Sequence, residues 1–143
     1  MNYEHIENVT SADIAVRVKA PSYSLLFKYG AEALMSEMVE DISAIQGIIS
    51  RNGMLTDEDI SLLYFEFLNE FLFFKDSENL LLVPSEVEVS SDGNLYSCIY
   101  ALKGQKINRE IHKFNADVKA VTLHGLRIYR DNGLFIAESV FDV

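Results

Sequence analysis

One cysteine, two prolines and no tryptophan remove several common ways of building and using a small domain. A lone Cys98 cannot close an intramolecular disulfide or contribute to a paired-cysteine metal site. Basic residues are also scarce: 12 Lys and Arg stand against 22 Asp and Glu, a net charge of −10. Affinity for a phosphate backbone comes from counterions released around Lys and Arg, so direct, non-specific nucleic-acid binding is not expected. Long hydrophobic runs are missing too. The longest stretch without a charge is Gly93–Leu102, about half a bilayer-spanning helix. The opening MNYEHIEN has neither a basic nor an apolar segment, so no secretory leader is expected. The glycosylation sequon at Asn8-Val9-Thr10 then has no secretory context.

What remains is an ordinary globular composition, 49% apolar and 24% charged, in 143 residues. That length suits one domain, residues 1–143, able to bury about 68–70% of its unfolded surface without a staple. Residues 1–100 carry 17 acids and 5 bases, whereas residues 101–143 carry 5 acids and 7 bases. Cys98 lies in the strand-like run YSCIYAL and is expected to be a buried, inert thiol. A reducing, cytoplasmic environment fits this composition.

Residues 12–19 alternate, with Ile14, Val16 and Val18 on one face and Asp13, Arg17 and Lys19 on the other, which predicts a half-buried strand. Pro21-Ser22 opens a helix to about Val39 whose polar positions Lys28, Glu32, Ser36 and Glu40 recur every four residues. Residues 42–50 are read as a strand. Thr56 is expected to cap a second helix, with Asp57, Glu58 and Asp59 complementing its positive end. That helix, from Ile60 to Phe74, is apolar except for Glu66, Asn69 and Glu70, and its phenylalanines 65, 67, 71, 73 and 74 are read as core. Strands at 86–90 and 95–103 join through Ser91-Asp92-Gly93-Asn94, and strands at 117–130 and 134–142 through Asp131-Asn132-Gly133. The apolar alternation changes parity at Gly125, which predicts a bulge. The fold class is α+β: a mainly antiparallel sheet with two helices packed on one face.

Enzyme signatures are sparse. There is no Gly-rich phosphate loop and no His-rich metal motif, and His5, His112 and His124 are far apart in sequence. The C-terminus carries more. A strand continuing to the last residue would fix Asp142 beside the α-carboxylate of Val143. Two carboxylates about 4 Å apart repel by about 4 kcal/mol at an effective dielectric near 20. A divalent cation reverses that sign, and an all-oxygen donor set selects a hard ion: Ca²⁺, Mg²⁺ or Mn²⁺.

Four segments, in order along nearly the whole chain, resemble the archease family. They are Thr10-Ser11-Ala12-Asp13-Ile14, Phe65-Glu66-Phe67-Leu68-Asn69-Glu70, the run from Val118 to Leu126, and the ending Phe141-Asp142-Val143. The resemblance implies a small non-catalytic protein that assists a GTP-dependent RtcB-type RNA ligase in tRNA splicing. In that family the protein promotes guanylylation of the ligase and its multiple turnover. It also implies a divalent metal held by Asp13, Asp142 and Val143. Thr10 and Ser11 stand where the family usually has His and Thr, and Asp13 falls two residues later than Tyr3-Glu4-His5-Ile6-Glu7 would place it.

Two other functions compete with ligase activation. A chaperone-like binding module for another RNA-processing enzyme, such as a tRNA methyltransferase, needs a docking surface but no strict metal dependence. A metal-dependent hydrolase needs a positioned general base, for which His124 is the one candidate, with Lys119 the nearest cation.

Overall fold

The computed structural model describes residues 2–6 and 13–143. The sequon at Asn8-Val9-Thr10, the altered positions Thr10 and Ser11, and the two-residue displacement before Asp13 lie outside the described residues. Among the described residues, strands and helices follow in the order β1 (Glu4–His5), β2 (Asp13–Ala20), α1 (Tyr23–Met38), β3 (Ile49–Asp57), α2 (Ile60–Glu78), β4 (Leu80–Asp92), β5 (Leu95–Lys106), β6 (Ala120–Asp131) and β7 (Leu134–Asp142). The α+β class stands, with antiparallel pairing throughout. The strands divide into two sheets, β1-β2-β7-β6 and β3-β5-β4. Both helices touch strands of both sheets.

Helix α1 starts where Ser22 accepts a hydrogen bond from the Leu25 amide at 3.2 Å. No residue of α1 is exposed, so its polar stripe only reaches half-burial. Gly30 lets α2 approach: a Cβ there would collide with the Tyr64 ring and hydroxyl. Around this contact Phe27 packs on Tyr64 and Phe67, and Phe67 on Phe71 and Tyr100. The phenylalanine stripe is therefore core at Phe67 and Phe71, whereas Phe73 turns outward and is 58% exposed.

The segment 42–57 departs from expectation. Residues 42–44 form a short 3₁₀ turn, because Asp41 accepts from both the amide and the hydroxyl of Ser43. The strand lies later and absorbs Thr56 and Asp57, which pair with Ser97 and Tyr96 of β5. The helix cap falls instead to Asp59, which accepts from the Ser61 and Leu62 amides. Pairing with a partner strand some forty residues away displaced a local capping signal.

Both hairpin turns form as expected. Asn132 and Gly133 have φ values of 52° and 78°, the left-handed pair of a tight two-residue hairpin. In β6, Thr122 pairs with Val140 and Arg127 with Glu138, so residues 123–126 bulge opposite Ser139. Gly125, with φ 75°, turns that bulge.

Candidate functional site

Strands β2, β7 and β6 bring the predicted carboxylates together. Asp13, the first residue of β2, is directly opposite Asp142 near the end of β7. Directly opposed residues of an antiparallel pair lie about 4.5–5.5 Å apart at Cα and point to the same face. Asp142 is held from the other side as well: it pairs with Ala120 of β6, and its carbonyl accepts the Lys119 amide at 2.8 Å. The next residue, Val143, packs its side chain against the core. That contact holds the residue following Asp142 in place.

This geometry suits the hard-cation chemistry. Two aspartates, both half-buried, occupy paired positions on one face of the sheet, with Val143 next in the chain. Among the described residues no group of three His, Cys, Asp or Glu side chains is arranged to hold a metal. Asp13 and Asp142 are thus two oxygen donors at most from side chains, and any cation held here would need main-chain oxygens or water to complete its shell. Mg²⁺ and Ca²⁺ both accept such mixed shells.

The same face carries a second feature that sequence reading missed. Because side chains alternate, Asp13, Ala15 and Arg17 of β2 share a face with Asp142, Val140 and Glu138 of β7. Glu138, only 6% exposed, accepts hydrogen bonds from Arg17 Nε at 2.7 Å, Arg127 Nε at 2.6 Å and the Tyr129 hydroxyl at 3.0 Å. Burial pushes its carboxyl up, but these three donors outweigh burial and hold it below the usual glutamate range. Arg17 extends the network to Glu4 of β1 at 3.1 Å. Each of these side chains sits at an unremarkable polar position of an alternating strand, and only the register joins them.

The histidines stay separate. His112 is buried: Nδ1 accepts the Asn108 amide at 3.0 Å, so Nε2 carries the proton and donates to Gln105 at 3.1 Å. His5 lies beside Glu37, which also accepts from the Tyr3 hydroxyl. His124 is exposed on the β6 bulge. That bulge folds toward Val140, since a Cβ at Gly125 would lie 3.1 Å from Val140 Cγ2. Lys119 is exposed and joins Asp142 through its backbone alone.

Residues 3–143 match the model of the Archease protein family (MTH1598/TM1083). The chain belongs to the archease family. It is similar to the protein archease of Archaeoglobus fulgidus, 31% identical over 144 residues and covering all of both chains. It is 30% identical to that of Thermococcus gammatolerans over 142 residues, which span 99% of this chain and 98% of the relative. The solution structure of Methanobacterium thermoautotrophicum protein 1598 superposes with a TM-score of 0.84 at 27% identity, covering 99% and 98% of the two chains. The crystal structure of a Thermotoga maritima archease, described as a possible chaperone, shares the fold at 22% identity, with a TM-score of 0.63 and coverage of 98% and 99%. No helix among the described residues is long and apolar enough to cross a membrane.

Proposed function

We propose that this protein is a non-catalytic, metal-binding activator of a GTP-dependent RtcB-type RNA ligase, acting in cytoplasmic tRNA splicing and RNA repair. The observation that supports this reading is the register of β2 on β7, which sets Asp13 against Asp142 beside the terminal residue in an archease-family chain. Asp13, Asp142 and the Val143 carboxylate are the ligands for Ca²⁺, Mg²⁺ or Mn²⁺. When bound, the cation neutralises converging negative charge and offers open positions to oxygen ligands of a partner. In this reading Asp13 and Asp142 contribute from paired positions of β2 and β7, and Val143 from the next position along. The net charge of −10 favours docking on a basic enzyme over gripping RNA.

The test is ligase guanylylation with the protein at substoichiometric ratio. Wild type should raise both the guanylylated fraction and the number of turnovers. Asp13→Ala, and a protein extended beyond Val143, should lose that stimulation while keeping the fold. Normal stimulation by both variants rules the metal-site model out.

A second reading follows from the description of the Thermotoga maritima relative as a possible chaperone. Here the protein is a chaperone-like module for another RNA-processing enzyme, such as a tRNA methyltransferase. Pull-downs with metal-loaded and chelated protein separate the two. Recovery of a methyltransferase without a ligase, unchanged by chelator, supports the second reading.

A further inference from the structure

We infer that the outer face of the β3-β5-β4 sheet is a docking surface for a basic, extended segment of a protein partner. The helices occupy the other face, where Cys98, Tyr100 and Leu102 are buried and Tyr100 meets Phe67 and Glu70 of α2. Alternate residues of the three strands therefore face away from the core. Across the sheet they form successive rows: Thr56, Ser97 and Ser90; then Met54, Ile99 and Glu88; then Asn52, Ala101 and Glu86.

This face sets exposed apolar side chains beside two acidic ones. Met54 and Ile99 are directly opposed and are 64% and 53% exposed. Beside them the small side chain of Ala101 leaves a groove of about 550 Å³ bordered by Asn52, Ile99, Glu86 and Glu88. Single exposed apolar residues are normal, but here Met54 and Ile99 form a contiguous pair and Ile99 also borders the groove.

Charge selects the occupant. Glu86 and Glu88 line one side of the groove and enter no ion pair among the described residues. They are two positions apart on β4, so their side chains repeat about 6.6 Å apart. An extended partner strand with basic residues at i and i+2 has the same spacing, and its aliphatic stems or neighbouring apolar residues would cover Met54 and Ile99. Lys103, one row beyond Ala101 and opposite Ser50, limits the acidic strip at that end. A second copy of this chain would bring its own Glu86 and Glu88 to the contact, within two molecules of charge −10. Nucleic acid is disfavoured by the same charge. The inference is independent of the carboxylate pair, which lies in the other sheet.

The test uses isotopically labelled full-length protein titrated with a short capped peptide of alternating lysine and valine, followed by amide NMR. A glutamate–valine peptide serves as control. Shifts are expected on the amides around Met54, Ile99 and Glu88, with none of that pattern from the glutamate peptide. Glu86→Gln with Glu88→Gln should weaken binding about tenfold, the sum expected of two partly exposed ion pairs. Glu110→Gln with Asp131→Asn, which removes the same charge from exposed positions elsewhere, should change it less than about twofold. Ile99→Thr should also weaken binding with the dispersed spectrum retained. Shifts spread over the whole acidic surface, equal losses from both double variants, or no binding overturn the proposal. So does a concentration-dependent dimer in sedimentation that Ile99→Thr abolishes, because the face would then belong to a second copy.

Discussion

Asp13 and Asp142 stand directly opposite one another on neighbouring strands, an arrangement that places two negative charges on one rung of a sheet. Like charges so placed cost about 0.2–1 kcal/mol relative to a neutral pair. In chelator, Asp142→Asn should therefore raise the thermal midpoint slightly. With excess Ca²⁺, Mg²⁺ or Mn²⁺ the order should reverse, because only wild type gains ligand stabilisation, about 2.7 kcal/mol at a hundredfold excess over Kd. Melting curves with and without EDTA decide it. A wild-type midpoint indifferent to all three ions contradicts the metal assignment.

The Glu138 network should be structural. Removing the carboxylate with Glu138→Ala leaves Arg17 and Arg127 facing each other without their shared acceptor. The expected loss is about 1–3 kcal/mol in urea unfolding, the scale of hydrogen bonds to a charged group. Because the folded carboxyl lies below its ordinary value of 4.5, this stabilisation is full above about pH 4.5 and is lost as pH falls through the folded value. Glu138→Gln should flatten that part of the acid limb. An unchanged limb in Glu138→Gln would show that other carboxylates govern it.

Glu66 should act in the opposite direction. Burial, then a hydrogen bond to Asp57 and the charges of Asp57 and Glu70, push its carboxyl up from 4.5 to about 7. Asp57 itself is held low by the Asp59 amide and by Glu66, so the shared proton resides on Glu66. Glu70 meanwhile accepts from Tyr100 at 2.9 Å. The folded state thus binds a proton that the unfolded chain has released between pH 4.5 and 7. Its contribution is complete below about pH 4.5 and declines as pH rises to about 7. Glu66→Gln should remove this decline and be relatively most stabilising above pH 7. Parallel pH–stability profiles for the two proteins would refute the assignment.

Cys98 should be silent until the protein opens. Burial pushes its thiol up to about 12, and the side chain is fully enclosed in the β5 face of the core. Native protein at pH 8 should resist iodoacetamide or a disulfide reagent, and the same protein in denaturant should react at once. Rapid modification without denaturant would mean that this sheet opens more readily than its packing implies.

How much was legible beforehand depends on the range of the interaction. Helix α1, helix α2, the two hairpin turns and the bulge at Gly125 follow from local patterns: apolar period, a capping side chain, and positive-φ turn residues. Segment 42–57 departs from expectation because the capping signal at Thr56 is local, whereas the ladder from Ile49 to Asp57 depends on β5. Phe73 departs from the core expectation because a nearly all-apolar helix does not reveal which side meets the solvent.

The candidate site divides the same way. The residues proposed as oxygen donors, Asp13 and Asp142, are readable from the chain alone, within segments that resemble the archease family. The sequence also determined the buried, unpaired state of Cys98 and the acidity that argues against gripping RNA. Strand pairing puts Asp13 on the rung of Asp142, gathers two arginines and a tyrosine around Glu138, and brings Met54 to Ile99 on an open sheet face. Side-chain type and period are local properties of a chain. Strand register joins residues far apart in sequence, and a shift of one residue would send every side chain to the opposite face.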